Sequence, residues 1–231
     1  MKFRAVIFDL FGTIVDGFTS SARYQEEFAT ALAVPHDALM AHWRKLTDKR
    51  TLGEFQSIEE SIEHVCSQMN VAVSAEQIHR AVNTRLRLTR HALTPRADAI
   101  STFASLKAGG LKMGLLSNCS IEIPIVWPQT ELAEWFDAAV FSSREQTKKP
   151  APEIYRIACE RLRVTAEECL YVADGENFEL AAAREVGMHP VLIGTSESGG
   201  EIRREALEWR GQRIDSLGQL LQLDGIKDRT P

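Results

Sequence analysis

Arg4-Ala5-Val6-Ile7-Phe8-Asp9-Leu10 runs without a break into Phe11-Gly12-Thr13, and the fold turns on how this stretch is read. Its apolar and β-branched residues do not alternate with polar ones, so it reads as a strand buried on both faces, as in a parallel sheet, and Gly12-Thr13 ends it. Further runs of the same kind follow at 112–117, 138–142, 169–173 and 190–193. Between them lie helical patterns at 97–108, closed by Gly109-Gly110, at 152–163, and at 178–186, closed by Gly187. Strands alternating with helices predict an α/β fold with right-handed crossovers joining the strands of a parallel sheet.

The interval from Leu10 to Lys112 is far longer than an ordinary crossover of about a dozen residues. Residues 18–90 carry almost no strand signal. Their apolar residues recur at helical spacing: Phe28 and Leu32; Leu39, Trp43 and Leu46; Ile58, Ile62, Val65 and Met69; Ile78, Val82 and Leu86. The expectation is a small all-helical domain at 16–91 inserted into a catalytic core made of 1–15 and 92–224. The polar residues 225–231 are expected to fray.

Hydrophobic residues make up 44% of the 231-residue chain and charged residues 26%, values of an ordinary globular enzyme. With 27 Lys and Arg against 32 Asp and Glu, the net charge is −5, so nucleic acid is not an expected partner. No apolar run approaches the roughly 20 residues of a membrane span. The apolar stretch after Ala5 stops at Asp9, too early for a signal-peptide core. Cys66, Cys119, Cys159 and Cys169 are widely spaced without a CxxC pair, which points to reduced thiols and a cytoplasmic location. Asn118-Cys119-Ser120 then matches a glycosylation sequon only formally.

In an open parallel sheet, ligands bind beyond the carboxyl ends of the strands. The residues there converge on one kind of site. The first strand ends in Asp9, the second in Ser117-Asn118 and the fourth in Asp174, while Lys149 follows the third after a polar loop. Two carboxylates, a hydroxyl, an amide and a lysine on one rim suit a small anionic substrate and a divalent cation. Each residue also has a plainer reading. Asp9 alone is as easily a turn cap, Lys148-Lys149 a solvated pair before Pro150, and Glu179 a first-turn acid on a helix dipole.

Four segments, in order, resemble the motifs of the haloacid dehalogenase superfamily: Phe8-Asp9-Leu10-Phe11-Gly12-Thr13, Leu116-Ser117-Asn118, Lys149-Pro150, and Ala173-Asp174-Gly175 through Glu179. The resemblance covers nearly the whole chain. It implies a Rossmann-like core, with the helical insert as a cap that closes over the site. It implies Asp9 as nucleophile, Ser117 or Asn118 as hydrogen-bond donor to the transferring group, and Lys149 as the neutralising cation. It implies Mg²⁺ held by Asp9, the Phe11 carbonyl and Asp174, with Glu179 assisting, and substrate contacts from Phe11, Gly12 and Thr13.

The sequence departs from that pattern in two ways. Where the superfamily's phosphatases carry a second Asp, which protonates the leaving group, this chain has Phe11. The dehalogenases have an aromatic residue there, because a halide leaves without a proton. Yet Asp174 and Glu176 stand where a dehalogenase has Ser and an amide, and three acids in this motif suit a cation. Mg²⁺-dependent hydrolysis of a phosphorylated metabolite through an aspartyl-phosphate is therefore the leading reading. Metal-free 2-haloacid dehalogenation comes second, and a catalytically degenerate binding protein third.

In the cap, Arg23, Trp43, Arg44 and Arg50 are candidates to face the substrate, and Arg44 is the one selected. The Gly- and Ser-rich segment 194–200 lacks the order of a phosphate-binding loop and reads as a surface loop. The six histidines have no zinc spacing.

Overall fold

Ala5–Phe8 forms β1, with every side chain buried, in the computed structural model, which describes residues 3–15, 22–194 and 204–228. It is joined by β2 (Lys112–Ser117), β3 (Ala138–Phe141), β4 (Cys169–Ala173), β5 (His189–Ile193) and β6 (Gln212–Ile214). All pairings are parallel, in the order β3-β2-β1-β4-β5-β6. Side chains alternate between two cores, as strand geometry requires: Val6 and Phe8 pack with Phe103 and Met113 on one face, Ala5 and Ile7 with Ile154 and Tyr155 on the other. The five runs expected from the sequence are β1 to β5. β6 has only Ile214 buried, too little for an apolar pattern to show.

Between β1 and β2 the chain builds α1 (Ala22–Leu32), α2 (His36–Lys45), α3 (Thr47–Thr51), α4 (Ile58–Gln68) and α5 (Ala75–Ala92). These helices have a core of their own, including Phe28, Leu39, Trp43, Ile62, Val65 and Val82. Ser57 caps α4 by accepting the Glu60 N–H at 3.0 Å, and Ser74 and Gln77 form a capping box at the start of α5. The rest of the chain supplies α6 (Ala99–Ala108), α7 (Glu122–Val126), α8 (Ser142–Glu145), α9 (Pro152–Leu162), α10 (Glu179–Glu185) and α11 (Arg204–Glu208). No described helix is long and apolar enough to cross a membrane.

The expected fraying at 225–231 does not hold for Ile226, which is fully buried and packs in the core with Leu217 and Leu220. Residues 229–231 of that stretch lie outside the described residues. The helix expected at 178–186 starts one residue later, because Asn177 and Phe178 adopt left-handed backbone at φ 52° and 58°.

Register positions the site. Phe8 lies beside Leu115 on one side and Val172 on the other, so Asp9 emerges level with Leu116 and Ala173. Ser117 and Asp174 stand one residue further out. The chain builds outward from β1 through β2 to β3, then returns to β1's other side with β4, which makes this the crevice where such sheets bind ligands.

Candidate active site

Asp9 is buried at this crevice, 6% exposed. Its two oxygens have different partners. Lys149 Nζ donates to Oδ1 at 2.5 Å, and Thr13 Oγ1 donates to Oδ2 at 3.1 Å. Thr13 can reach back because Gly12, at φ 74°, turns the chain after Phe11, and the Gly12 N–H bonds the Val15 carbonyl. Gly12's own carbonyl accepts from Arg96 at 2.9 Å. Gly12 and Thr13, expected to contact substrate, shape and hold the loop that carries Asp9.

Lys149 is placed by Asn118. Its N–H donates to Asn118 Oδ1 at 2.8 Å, and Asn118 Nδ2 returns a bond to the Lys149 carbonyl at 3.0 Å. The Asn118 amide, one of two expected donors to the transferring group, thus also clamps the lysine's backbone. The other, the Ser117 hydroxyl, is buried with no hydrogen-bond partner among the described residues. Lys148, the alternative cation, instead pairs with Asp48 on the cap at 2.5 Å.

The Lys149 ammonium also donates to Glu179 Oε2 at 2.5 Å. Burial opposes its charge, but Asp9 and Glu179 together hold it above the usual lysine range. Glu179 is fully buried, and burial pushes its carboxyl up to about 7 against the pull of Lys149. Its oxygens are taken: Tyr171 OH donates to Oε2 at 2.7 Å and the Glu176 N–H to Oε1 at 3.0 Å. Tyr155 OH donates to the Glu179 carbonyl at 2.9 Å. Both tyrosines escaped the sequence reading because each looks like an apolar core position, in α9 and β4.

Asp9, Asp174 and Glu179 each offer a carboxylate oxygen within 4.8 Å of the others, all buried. Asp9 and Asp174, with Glu179 titrating at about 7, crowd more negative charge around Lys149 than one ammonium offsets, which a divalent cation would help to balance. Hard oxygen donors suit Mg²⁺. Glu179 is committed to Lys149, Tyr171 and the Glu176 N–H, so of the three carboxylates Asp9 and Asp174 fit the ion better.

A cavity of about 410 Å³ opens between cap and core, with Phe11, Asn118 and Ser120 on the core side and Trp43, Arg44, Arg50 and Arg85 on the cap side. Arg44 is exposed, Trp43 is buried, and the side chain of Arg23 lies outside the described residues. Arg85 of α5 donates Nε and Nη2 to Glu122 Oε1 of α7 at 3.1 and 2.7 Å, tying cap to core. Burial opposes Glu122's charge, but Arg85 and Arg50 hold its carboxyl down to about 2. Ser142 adds a further tie, donating to the Thr51 carbonyl at 2.7 Å. Neither Glu122 nor Arg85 carries a motif. Of segment 194–200, only Gly194 lies within the described residues.

The sequence model of the haloacid dehalogenase-like hydrolases matches residues 3–187. An (S)-2-haloacid dehalogenase of Pseudomonas sp. strain CBS-3 is 24% identical, with 94% of this chain and 91% of the relative covered. A phosphoglycolate phosphatase of Salmonella paratyphi A is 27% identical, with 96% and 93% covered. Among solved structures, a phosphatase of the same superfamily from Thermococcus onnurineus superposes with a TM-score of 0.65 at 21% identity. That superposition covers 98% of this chain and 99% of the other, and it bears on the fold alone.

Proposed function

The chain belongs to the haloacid dehalogenase-like hydrolases, and from that premise we propose that it hydrolyses a small phosphorylated metabolite with the help of Mg²⁺. The observation that carries this reading is the convergence of Asp9, Asp174 and Glu179, three buried carboxylates that each offer an oxygen within 4.8 Å of the others, a donor set that suits a divalent cation.

Asp9 is the nucleophile. Lys149 and Thr13 fix its carboxylate in one orientation, so attack on phosphorus needs little further ordering. The bond formed is Asp9 O–P, the bond broken is that to the leaving oxygen, and water then hydrolyses the aspartyl-phosphate. Lys149 neutralises charge on the transferring group, and the buried Ser117 hydroxyl is the donor available to it. Mg²⁺ bound at Asp9, the Phe11 carbonyl and Asp174 would supply further charge neutralisation. Phe11 brings no proton for the leaving oxygen, so substrates whose leaving group departs as a stable anion are favoured.

Phe11 also favours a second reading. A halide needs no proton, and both dehalogenases and phosphatases stand among the relatives. One assay separates the two: aryl and acyl phosphates and 2-haloacids, each with Mg²⁺ and with excess chelator. Phosphate release that stops on chelation and returns with Mg²⁺ supports the proposal. Full turnover of a 2-haloacid in chelator, with no phosphate release, replaces it with dehalogenation.

A further inference from the structure

α10 begins without a cap of its own. Its first residue is Glu179, the acid that bonds Lys149, and the residue before it is Phe178, an apolar side chain on left-handed backbone that offers no oxygen to the helix. Helices are usually closed there by Ser, Thr, Asp or Asn, whose side-chain oxygen accepts the N–H of the second or third helical residue. Here a carboxylate from 24–25 residues further along does both. Glu205 of α11 accepts the Leu180 N–H at 3.1 Å through Oε2 and the Ala181 N–H at 2.7 Å through Oε1. Glu205 is itself buried, and it stands outside the cavity between cap and core.

The segment that carries Glu205 also grips α10 and the turn before it elsewhere. Ala206 packs so closely on the turn that a Cβ at Gly175 would lie 3.3 Å from its backbone nitrogen and 3.5 Å from its Cβ. Trp209 lies under the Arg184 guanidinium near the other end of α10, at 4.4 Å from the ring centroid. Arg213 of β6 ties α11 to the sheet edge by donating to the Ala206 carbonyl at 2.8 Å. What is held needs holding: Asn177 and Phe178 occupy backbone that their side chains disfavour, and α10, at seven residues, is too short to be stable alone. Opening its first turn would carry the Glu179 carboxylate off Lys149, whose ammonium fixes Asp9 Oδ1. We propose that Glu205 is a positioning residue of this site: it replaces the missing N-cap of α10, keeps Glu179 on Lys149, and through Lys149 holds the orientation of Asp9. Because this role rests on the reading of Asp9 as the nucleophile, it applies whether phosphate or halide departs. A role in packing alone would lower stability and leave the Lys149 ammonium undisturbed.

The test is the ¹⁵Nζ resonance of Lys149 in the ¹⁵N-labelled full chain, assigned by its loss in Lys149→Met. Two carboxylates bond this buried ammonium, so its protons should exchange slowly with water in the wild type. Glu205→Ala is expected to shift that resonance or broaden it beyond detection at a temperature where the variant is fully folded, and to speed exchange of the Leu180 and Ala181 amides at least tenfold. On whichever of 4-nitrophenyl phosphate with Mg²⁺ or 2-chloropropionate in chelator the wild type turns over, kcat is expected to fall at least tenfold with KM within twofold, since Glu205 touches no wall of the cavity. Should Glu205→Ala fail to fold, Glu205→Gln, of the same size with one acceptor oxygen in place of two, is read in its stead, with faster exchange expected at one of the two amides. An unmoved Lys149 resonance in the folded variant, an unchanged kcat, or Leu180 and Ala181 amides that already exchange in the wild type like uncapped ones overturns the proposal. Absent phosphate release, in contrast, removes the phosphatase reading and leaves the Lys149 resonance to decide the role of Glu205.

Discussion

Replacing Lys149 by Met keeps most of the side chain's volume and removes the one ammonium that two buried carboxylates share. Both contacts are 2.5 Å, with side-chain exposures of 4% for Lys149, 8% for Asp9 and 1% for Glu179. Removing one partner of a buried pair costs about 3–5 kcal/mol when the other stays charged. Glu179 can escape part of that cost by taking a proton, so the loss depends on pH. In the wild type the folded Glu179 carboxyl sits at about 7, above the roughly 4.3 of an unfolded Glu. Its contribution to stability is therefore complete at acid pH and falls as pH rises through about 7, where the wild type levels off. Without the ammonium that opposes the upward shift, the mutant's Glu179 titrates higher. Mutant stability goes on falling above neutrality by about 1.4 kcal/mol per pH unit until that new value is reached. Urea unfolding followed by circular dichroism at pH 6 and pH 9 measures the gap between the two proteins. The gap should widen by at least about 1.4 kcal/mol toward pH 9. Adding Glu179→Gln removes the charge that has lost its partner and should recover stability at pH 9. A gap that stays constant with pH, or a double mutant no more stable than Lys149→Met at pH 9, refutes the reasoning.

Three further outcomes are expected. Phe11→Asp places an acid where the leaving oxygen departs. On phenyl phosphates of graded acidity it should flatten the steep wild-type dependence on leaving group, by less than the typical 10²–10⁴-fold of general acid catalysis, because a site shaped for an aromatic ring orients a carboxyl poorly. Gly53→Ala should destabilise by at least about 1–3 kcal/mol in thermal unfolding, since φ is +70° and a Cβ there would lie 1.9 Å from the Ser143 carbonyl oxygen, where the cap meets the core. Arg85→Met and Glu122→Gln should each destabilise more than half of what the double mutant does, because either alone leaves a buried charge unpaired; strict additivity in a double-mutant cycle would count against the cap–core tie.

The strands that carry Asp9, Ser117 and Asp174 were legible because burial on both faces demands unbroken apolar runs, and such runs are visible one residue at a time. The insert was legible for a similar reason: its helices bury one stripe each. What escaped has no periodicity to display. α3 is five residues with none buried, and β6 is three residues with one buried. Tyr155 and Tyr171 look apolar until their hydroxyls are seen to meet Glu179. The Arg85–Glu122 pair spans 37 residues and exists only because cap and core are docked, so local sequence cannot announce it. Arg50 and Arg44 are equally good helical arginines on paper. Only the fold lays one over Trp43, half-buried, and leaves the other in water.

The fourth motif shows how backbone conformation divides roles that the sequence leaves undivided. Asp174, Glu176 and Glu179 read as three equivalent acids. Gly175, Asn177 and Phe178 all have positive φ, at 81°, 52° and 58°, so the chain turns sharply between the first acid and the last. Glycine adopts this region freely, but Asn and Phe each store strain of about 1–3 kcal/mol there. The strain has a structural return. It carries the Glu176 N–H onto Glu179 Oε1, starts α10 at Glu179, and delivers that carboxylate to Lys149 and Tyr171. Asp174 stays at the strand end on the Asp9 side, and Glu176 remains exposed. Glu179 is therefore held on the lysine while Asp174 stays beside Asp9, where the proposed reading has it share a cation, and the two left-handed residues between them keep the two carboxylates in different places.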